Sequence, residues 1–189
     1  RREQTVPLRE GNRPLWYQHA SADVAALPIE SPPDATLQPF DAAQLATAEA
    51  FDEGRIRVAD DVWIPGFPAQ REGNEAGWPV VRRGGIATHP LRPIRHVPKF
   101  LVNAMTFGGD SGAPVLVRRT SVDGEASAET FVIAGMILGM VRQTDRTTTP
   151  FEERIMHTPL GLGIVLPAPP IREVIDQAVA GRPDAPPQP

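Results

Sequence analysis

The sequence predicts a mainly β protein that ends in a helix, and three observations predict it. The 22 prolines and 16 glycines are spread along 189 residues, which leaves little room for long helices. Several short apolar or alternating runs are each bounded by glycine, proline or charge, the pattern of strands joined by turns. Only two segments read as helical. A hydrophobic content of 41% is enough for one large domain or for two small sub-domains sharing a core.

In chain order, "DVAALPI" (23–29) reads as a strand opened by an aspartate. "DAAQLATAEAF" (41–51) is Ala-rich with Asp41 placed as an N-cap, and reads as a helix. "IRVADDVWIPGFP" (56–68), "WPVVRRGGIATH" (78–89), "FLVNAM" (100–105), "APVLVRR" (113–119), "TFVIAGMILGMV" (130–141) and "LGLGIVLP" (160–167) supply six more strands. Between them, "RTSVDGEASAETF" (119–131) reads as a hairpin loop and "RQTDRTTTPFEERIMHTP" (142–159) as a longer polar loop. "PPIREVIDQAVAG" (169–181) starts on proline, repeats apolar residues at helical spacing and stops at Gly181. The closing "RPDAPPQP" has nothing apolar to bury and reads as a disordered tail.

Charge and composition remove several function classes. A net charge of -4 gives no electrostatic reason to expect nucleic acid, whose phosphates must be neutralised by lysine and arginine. No window approaches the unbroken apolar run of about 18 residues that a membrane helix needs, so no membrane partner is expected. The first residues, "RREQTVPLRE", lack the apolar core of a signal peptide, and no compartment is named. With no cysteine there is no thiolate zinc site and no cysteine nucleophile. His19, His89, His96 and His157 are too scattered for a metal site, so neither metal nor cofactor is expected. Arg82, Arg83, Arg92, Arg95 and Lys99 form one locally basic stretch, read as a solvated face, with a preference for acidic substrates as the lesser alternative.

The stretch that carries chemistry is "FLVNAMTFGGDSGAPVLV" (100–117), a polar glycine-rich turn between two apolar runs. A serine nucleophile needs exposure on a tight turn, a base to take its proton, and backbone N–H groups aimed at the developing oxyanion. Glycines 108 and 109 permit a turn that aims the N–H groups of Gly109 and Ser111 into one pocket, and Gly112 leaves room behind the serine. Asp110 would point inward and lock the turn through a buried partner that the sequence does not identify. A Gly-x-Ser-x-Gly turn between strand and helix does not fit, because "APVLVRR" continues as a strand. The plainer alternative is a β-turn in which Asp110 and Ser111 only satisfy backbone groups.

"GDSGAPV" resembles the nucleophile motif of the trypsin-like, chymotrypsin-fold serine proteases, with Ala113 where most members have glycine. "VIAGMILGM" resembles the strand that lines that family's specificity pocket, and "LGLGIVLPAPPIREVIDQ" its last strand and C-terminal helix. "HASADVAALPI" resembles the segment bearing the triad aspartate, and "VWIPGFP" and "VVRRGGIA" look like early strands of the second barrel. The resemblance implies a double β-barrel with residues 1–40 ending the first barrel, 41–168 forming the second, 169–181 the C-terminal helix and 182–189 a tail. It implies Ser111 as nucleophile, the N–H groups of Gly109 and Ser111 as oxyanion hole, Asp23 as the group orienting the base, and a polypeptide substrate. The pocket-floor position falls on Met105, with Met140 near the wall. Lacking an acidic floor, such a pocket would favour a small or medium apolar side chain, although both methionines can equally be read as core packing.

The triad histidine is missing. His19 lies too close to Asp23 along the chain to reach across a cleft, and the resemblance gives His89, His96 and His157 no catalytic place. A strand such as "DVAALPI" also needs neighbours on both edges. The sequence is therefore read as the C-terminal two-thirds of a protease domain, with the histidine and most of the first barrel supplied by an upstream segment or a companion chain. "RREQTVPLRE" does not resemble the apolar N-terminus that pairs with this aspartate in trypsin-type enzymes, so Asp110 needs another partner. Two rival readings stay open: a protease-like binding module without catalysis, and an esterase on another fold.

Overall fold

The structure, a computed structural model, describes residues 5–31, 39–123, 126–149 and 151–181. The chain is mainly β with a C-terminal helix, as the turn-rich sequence predicts. Two small hairpins come first: β1 (Arg9–Glu10) with β2 (Arg13–Pro14), and β3 (Tyr17–Gln18) with β4 (Ala25–Ala26). The strand expected over 23–29 is reduced to β4.

The main body is an antiparallel six-stranded sheet. It is built from β5 (Asp61–Gly66), β6 (Val80–Gly85), β7 (Phe100–Val102), β8 (Pro114–Asp123), β9 (Ala126–Thr148) and β10 (Glu153–Pro167), in the order β6-β5-β8-β9-β10-β7. Its two outer strands also meet. Ile86 bridges Val102, Ala87 N–H donates to Leu101 O (2.8 Å) and Asn103 N–H to Gly85 O (2.9 Å), so the sheet closes on itself. Closure leaves alternate side chains pointing inward: Val62 and Ile64, Phe100 and Val102, Val115 and Val117, with Ile137 and Val165, are all buried. Phe51 packs edge-on against Phe100 with ring centroids 6.3 Å apart.

The helix expected over 41–51 is broken. Asp41 caps a 3-10 turn (Ala42–Gln44) through a capping box with Gln44, as its position predicts, but Leu45 then turns extended and bridges Ile133. Thr47 starts α1 (Ala48–Asp52) afresh. Burying Leu45 and Ala46 against the barrel outweighs the helix propensity of an Ala-rich run. The C-terminal helix α2 (Ala168–Ala180) ends with Gly181 as C-cap; the expected tail, 182–189, lies outside the described residues. No helix among the described residues is long and apolar enough to cross a membrane.

Both expected loops are instead strand extensions. β8 and β9 run on through 119–131, apart from residues outside the description, and 142–159 forms a ribbon in which Glu153 pairs with Thr148 and Pro159 with Arg142. Residues 142–149 and 151–160 are exposed on every side. With no buried face there is no apolar alternation, so the sequence reads as loop where the backbone is β.

Candidate functional site

The turn between β7 and β8 places the Asp-Ser pair at one end of the closed sheet. Gly109 has φ +96°, and a Cβ there would lie 2.6 Å from Phe67 O, so both conformation and space demand glycine. Gly112 has φ +88° with open space around it, so it is required by its backbone angle and not by crowding. Ala113, standing where the resembled motif has glycine, is buried.

Asp110 is fully buried, and its partner is Arg82 on β6. The two guanidinium nitrogens donate to the two carboxylate oxygens at 2.5 and 2.6 Å, the bidentate fork that only arginine offers. Phe107 N–H donates to Asp110 Oδ2 (2.7 Å), and Arg82 donates further to Met105 O (3.1 Å). One ion pair thus fixes both the start and the middle of the turn. Gly66 on β5 makes the room: a Cβ there would come within 2.9 Å of both Arg82 and Asp110. The reading of Arg82 as part of a solvated basic face is therefore corrected. Its side chain is 15% exposed, whereas Arg83, Arg92, Arg95 and Lys99 are exposed. On a strand, neighbours 82 and 83 point to opposite faces, which a charge count along the sequence does not see.

With Asp110 tied down, Ser111 stands exposed, and its hydroxyl donates to Leu138 O at 3.0 Å. Leu138 has no partner on β10. The register passes from Val165 opposite Ile137 to Ile164 opposite Gly139, so Leu138 is the extra residue of a β-bulge. The N–H groups of Gly109 and Ser111 donate to no protein acceptor among the described residues. Beside Gly109 opens a cavity of about 330 Å³ lined by Phe67, Gln70, Glu72 and Gly77.

Asp23 sits in the β3–β4 hairpin. It is exposed, carries no hydrogen bond or ion pair among the described residues, and lines a cavity of about 480 Å³ shared with His19, Lys99 and Glu173. Next to it, Val24 is buried with Leu166 and Val174 in a small cluster against which Leu138 and Met136 also pack. The cluster brings the Asp23 hairpin to the same stretch of β9 that Ser111 touches.

His19 is held for structure. Its Nε2 lies 3.1 Å from Glu173 Oε2 on α2, and its Nδ1 accepts from the N–H groups of Ser21 and Ala22. His89, His96 and His157 are exposed, and His157 Nδ1 is 2.9 Å from the Thr144 hydroxyl, out on the ribbon. Met105 is 53% exposed, so it is neither core packing nor enclosed, while Met140 is half-buried. Between them Thr106, buried, reaches Gly139 O at 3.4 Å. Three contributors escaped sequence reasoning: Arg82, Gly66 and the Leu138 carbonyl. Only the glycine in "IPGF", inside an apolar run where a side chain would normally pack, offered a signal. No family model matches this chain, and neither does any curated protein or solved structure.

Proposed function

We propose that this chain carries the nucleophile side of a serine endopeptidase with the chymotrypsin-like double-barrel architecture. On this reading the closed six-stranded sheet is the second barrel and the Asp23 hairpin is the end of the first. The histidine comes from an upstream segment or a companion chain. The observation that supports the reading best is the turn at Gly109–Ser111: an exposed hydroxyl beside two N–H groups with no protein acceptor among the described residues, locked by a buried carboxylate.

Ser111 Oγ attacks the scissile carbonyl carbon while its proton passes to the histidine that Asp23 orients. The carbonyl electrons collect on oxygen, where the N–H groups of Gly109 and Ser111 hold the negative charge. Collapse re-forms the carbonyl and breaks the C–N bond, the histidine returns its proton to the amine, and water then hydrolyses the acyl ester by the same path. The Arg82–Asp110 pair supplies from within the barrel the partner that the aspartate before the serine requires, so no newly cut N-terminus is needed to shape the turn. Because Met105 is 53% exposed and encloses nothing, the preference for a small or medium apolar side chain before the scissile bond rests on the resemblance alone. Without a histidine in place, Ser111 has no general base and the chain does not turn over.

The test is covalent labelling of the full-length protein with a serine-directed phosphonate, read by peptide mass spectrometry. Labelling at Ser111, abolished in Ser111→Ala, supports the reading; a full-length protein that stays unlabelled sinks it.

A further inference from the structure

The ribbon formed by residues 142–148 of β9 and 153–159 of β10 has no assigned role, although it grows directly out of the bulge against which Ser111 rests. Along one side β9 is paired with β10. Along its other side β8 stops pairing at Met136, and among the described residues nothing replaces it from Arg142 to Thr148, where every residue is exposed. That free edge contains no proline, so all its N–H groups are retained. The outer edge of β10 is different: Pro159 removes a donor, and the register slips between Pro159 and Gly163. An isolated two-stranded ribbon is marginal in water, and a third strand is what stabilises such an element. Arg146 pairs with Glu153 across the ribbon, which leaves Arg142 and Asp145 as the charges of opposite sign along the free edge itself.

We propose that the free edge of Arg142–Thr148 binds a polypeptide in extended conformation as an added strand, carrying recognition well beyond the residues beside Ser111. Seven residues at about 3.3 Å each make a track of roughly 23 Å. Backbone pairing of this kind selects for an unfolded, extended segment and not for particular side chains. The inference rests on the protease reading for what lies at the near end of the track; the track itself does not depend on hydrolysis.

The test uses the full-length protein and β-casein as an unfolded polypeptide probe, with amide hydrogen exchange followed residue by residue by NMR. In a ribbon, every second residue of β9 already points its N–H at β10, and the others point outward. Strand addition therefore slows exchange at alternate amides between 142 and 148 and leaves their neighbours unchanged. A variant with 143–158 replaced by a Gly-Asn turn binds casein about tenfold or more weakly, while phosphonate labelling at Ser111 is unchanged. The proposal is overturned if casein binding protects no ribbon amide, or protects both strands uniformly. It is also overturned if the same amides gain protection with protein concentration alone, which would make a second copy of the chain the occupant. Alternate protection without Ser111 labelling would remove the protease reading and leave the track standing; labelling without protection would do the reverse.

Discussion

The turn carrying Ser111 and the hairpin carrying Asp23 reach the same stretch of β9, but they are held there in different ways. The serine turn is specified from within the barrel: a buried bidentate ion pair, a glycine at φ +96° and a sheet that closes on itself. The aspartate hairpin has strands of two residues each, an exposed carboxylate, a small apolar cluster around Val24 joined by Tyr17, Ala22 and Ala26, and one hydrogen bond from His19 to Glu173 on α2. The difference teaches where pre-organisation resides. Ser111 is placed by a buried ion pair and glycine geometry, whereas Asp23 rides on a two-stranded hairpin fastened through its apolar cluster.

The strongest way to break the contrast is to remove the ion pair. Arg82→Met leaves Asp110, with no exposure at all, as an unpaired buried charge, and the expected loss is about 3–5 kcal/mol by urea unfolding. The double variant Arg82→Met with Asp110→Leu should recover much of that loss while leaving Ser111 unreactive toward the phosphonate. Recovery of stability without recovery of labelling would separate holding the barrel from shaping the turn. If Arg82→Met unfolds at the wild-type midpoint, the serine turn is not built on this pair.

Gly109→Ala comes next. The new Cβ meets Phe67 O at 2.6 Å in a left-handed conformation, and strain of this kind is worth about 1–3 kcal/mol. Relief by rotating the peptide would withdraw an N–H from the proposed oxyanion site, so labelling of the full-length protein should fall more steeply than stability does. Equal labelling of wild type and variant would remove Gly109 from the site.

How much of this was legible in the sequence follows the same division. The strands of the barrel were readable because each is a short apolar run, such as "VWI" in β5 or "VLV" in β8, where Leu116 is buried between Val115 and Val117. The ribbon at 142–159 was not, because a strand exposed on both faces has no apolar run to read. The serine turn announced itself through its glycines, whereas Arg82 did not: its partner lies 28 positions away, and only the β5–β6 pairing and the gap at Gly66 bring the two together. Ala48–Asp52 illustrates a third case, where the local propensity for one long helix was real but Leu45 had more to gain against Ile133.

On the aspartate side the expected effects are smaller and more local. Val24→Ala deletes two buried methyl groups, worth about 1.5 kcal/mol. The loss should show as faster exchange of the His19 amide, which donates to Val24 O at 3.0 Å, with the amides of β8 and β9 unchanged. If exchange quickens throughout the barrel as well, the hairpin is part of the same cooperative unit and the contrast between the two regions is wrong.

Smallest of all is Glu173→Gln. The carboxylate is 63% exposed although its partner His19 is only 11% exposed, so water screens the pair and removing the charge should change stability by no more than about 0.5 kcal/mol. His19 exchanges a carboxylate acceptor for a neutral one and keeps its geometry, since Nδ1 still accepts from the Ser21 and Ala22 N–H groups and the substituted amide oxygen can still accept from Nε2. The variant therefore asks whether the His19 clip acts by charge or by shape. An unchanged unfolding midpoint together with an unchanged His19 amide exchange rate would assign the hairpin's attachment to Val24 and the apolar cluster. A midpoint lowered as much as in Val24→Ala would mean that the His19–Glu173 contact, despite its exposure, is what fastens the hairpin to α2.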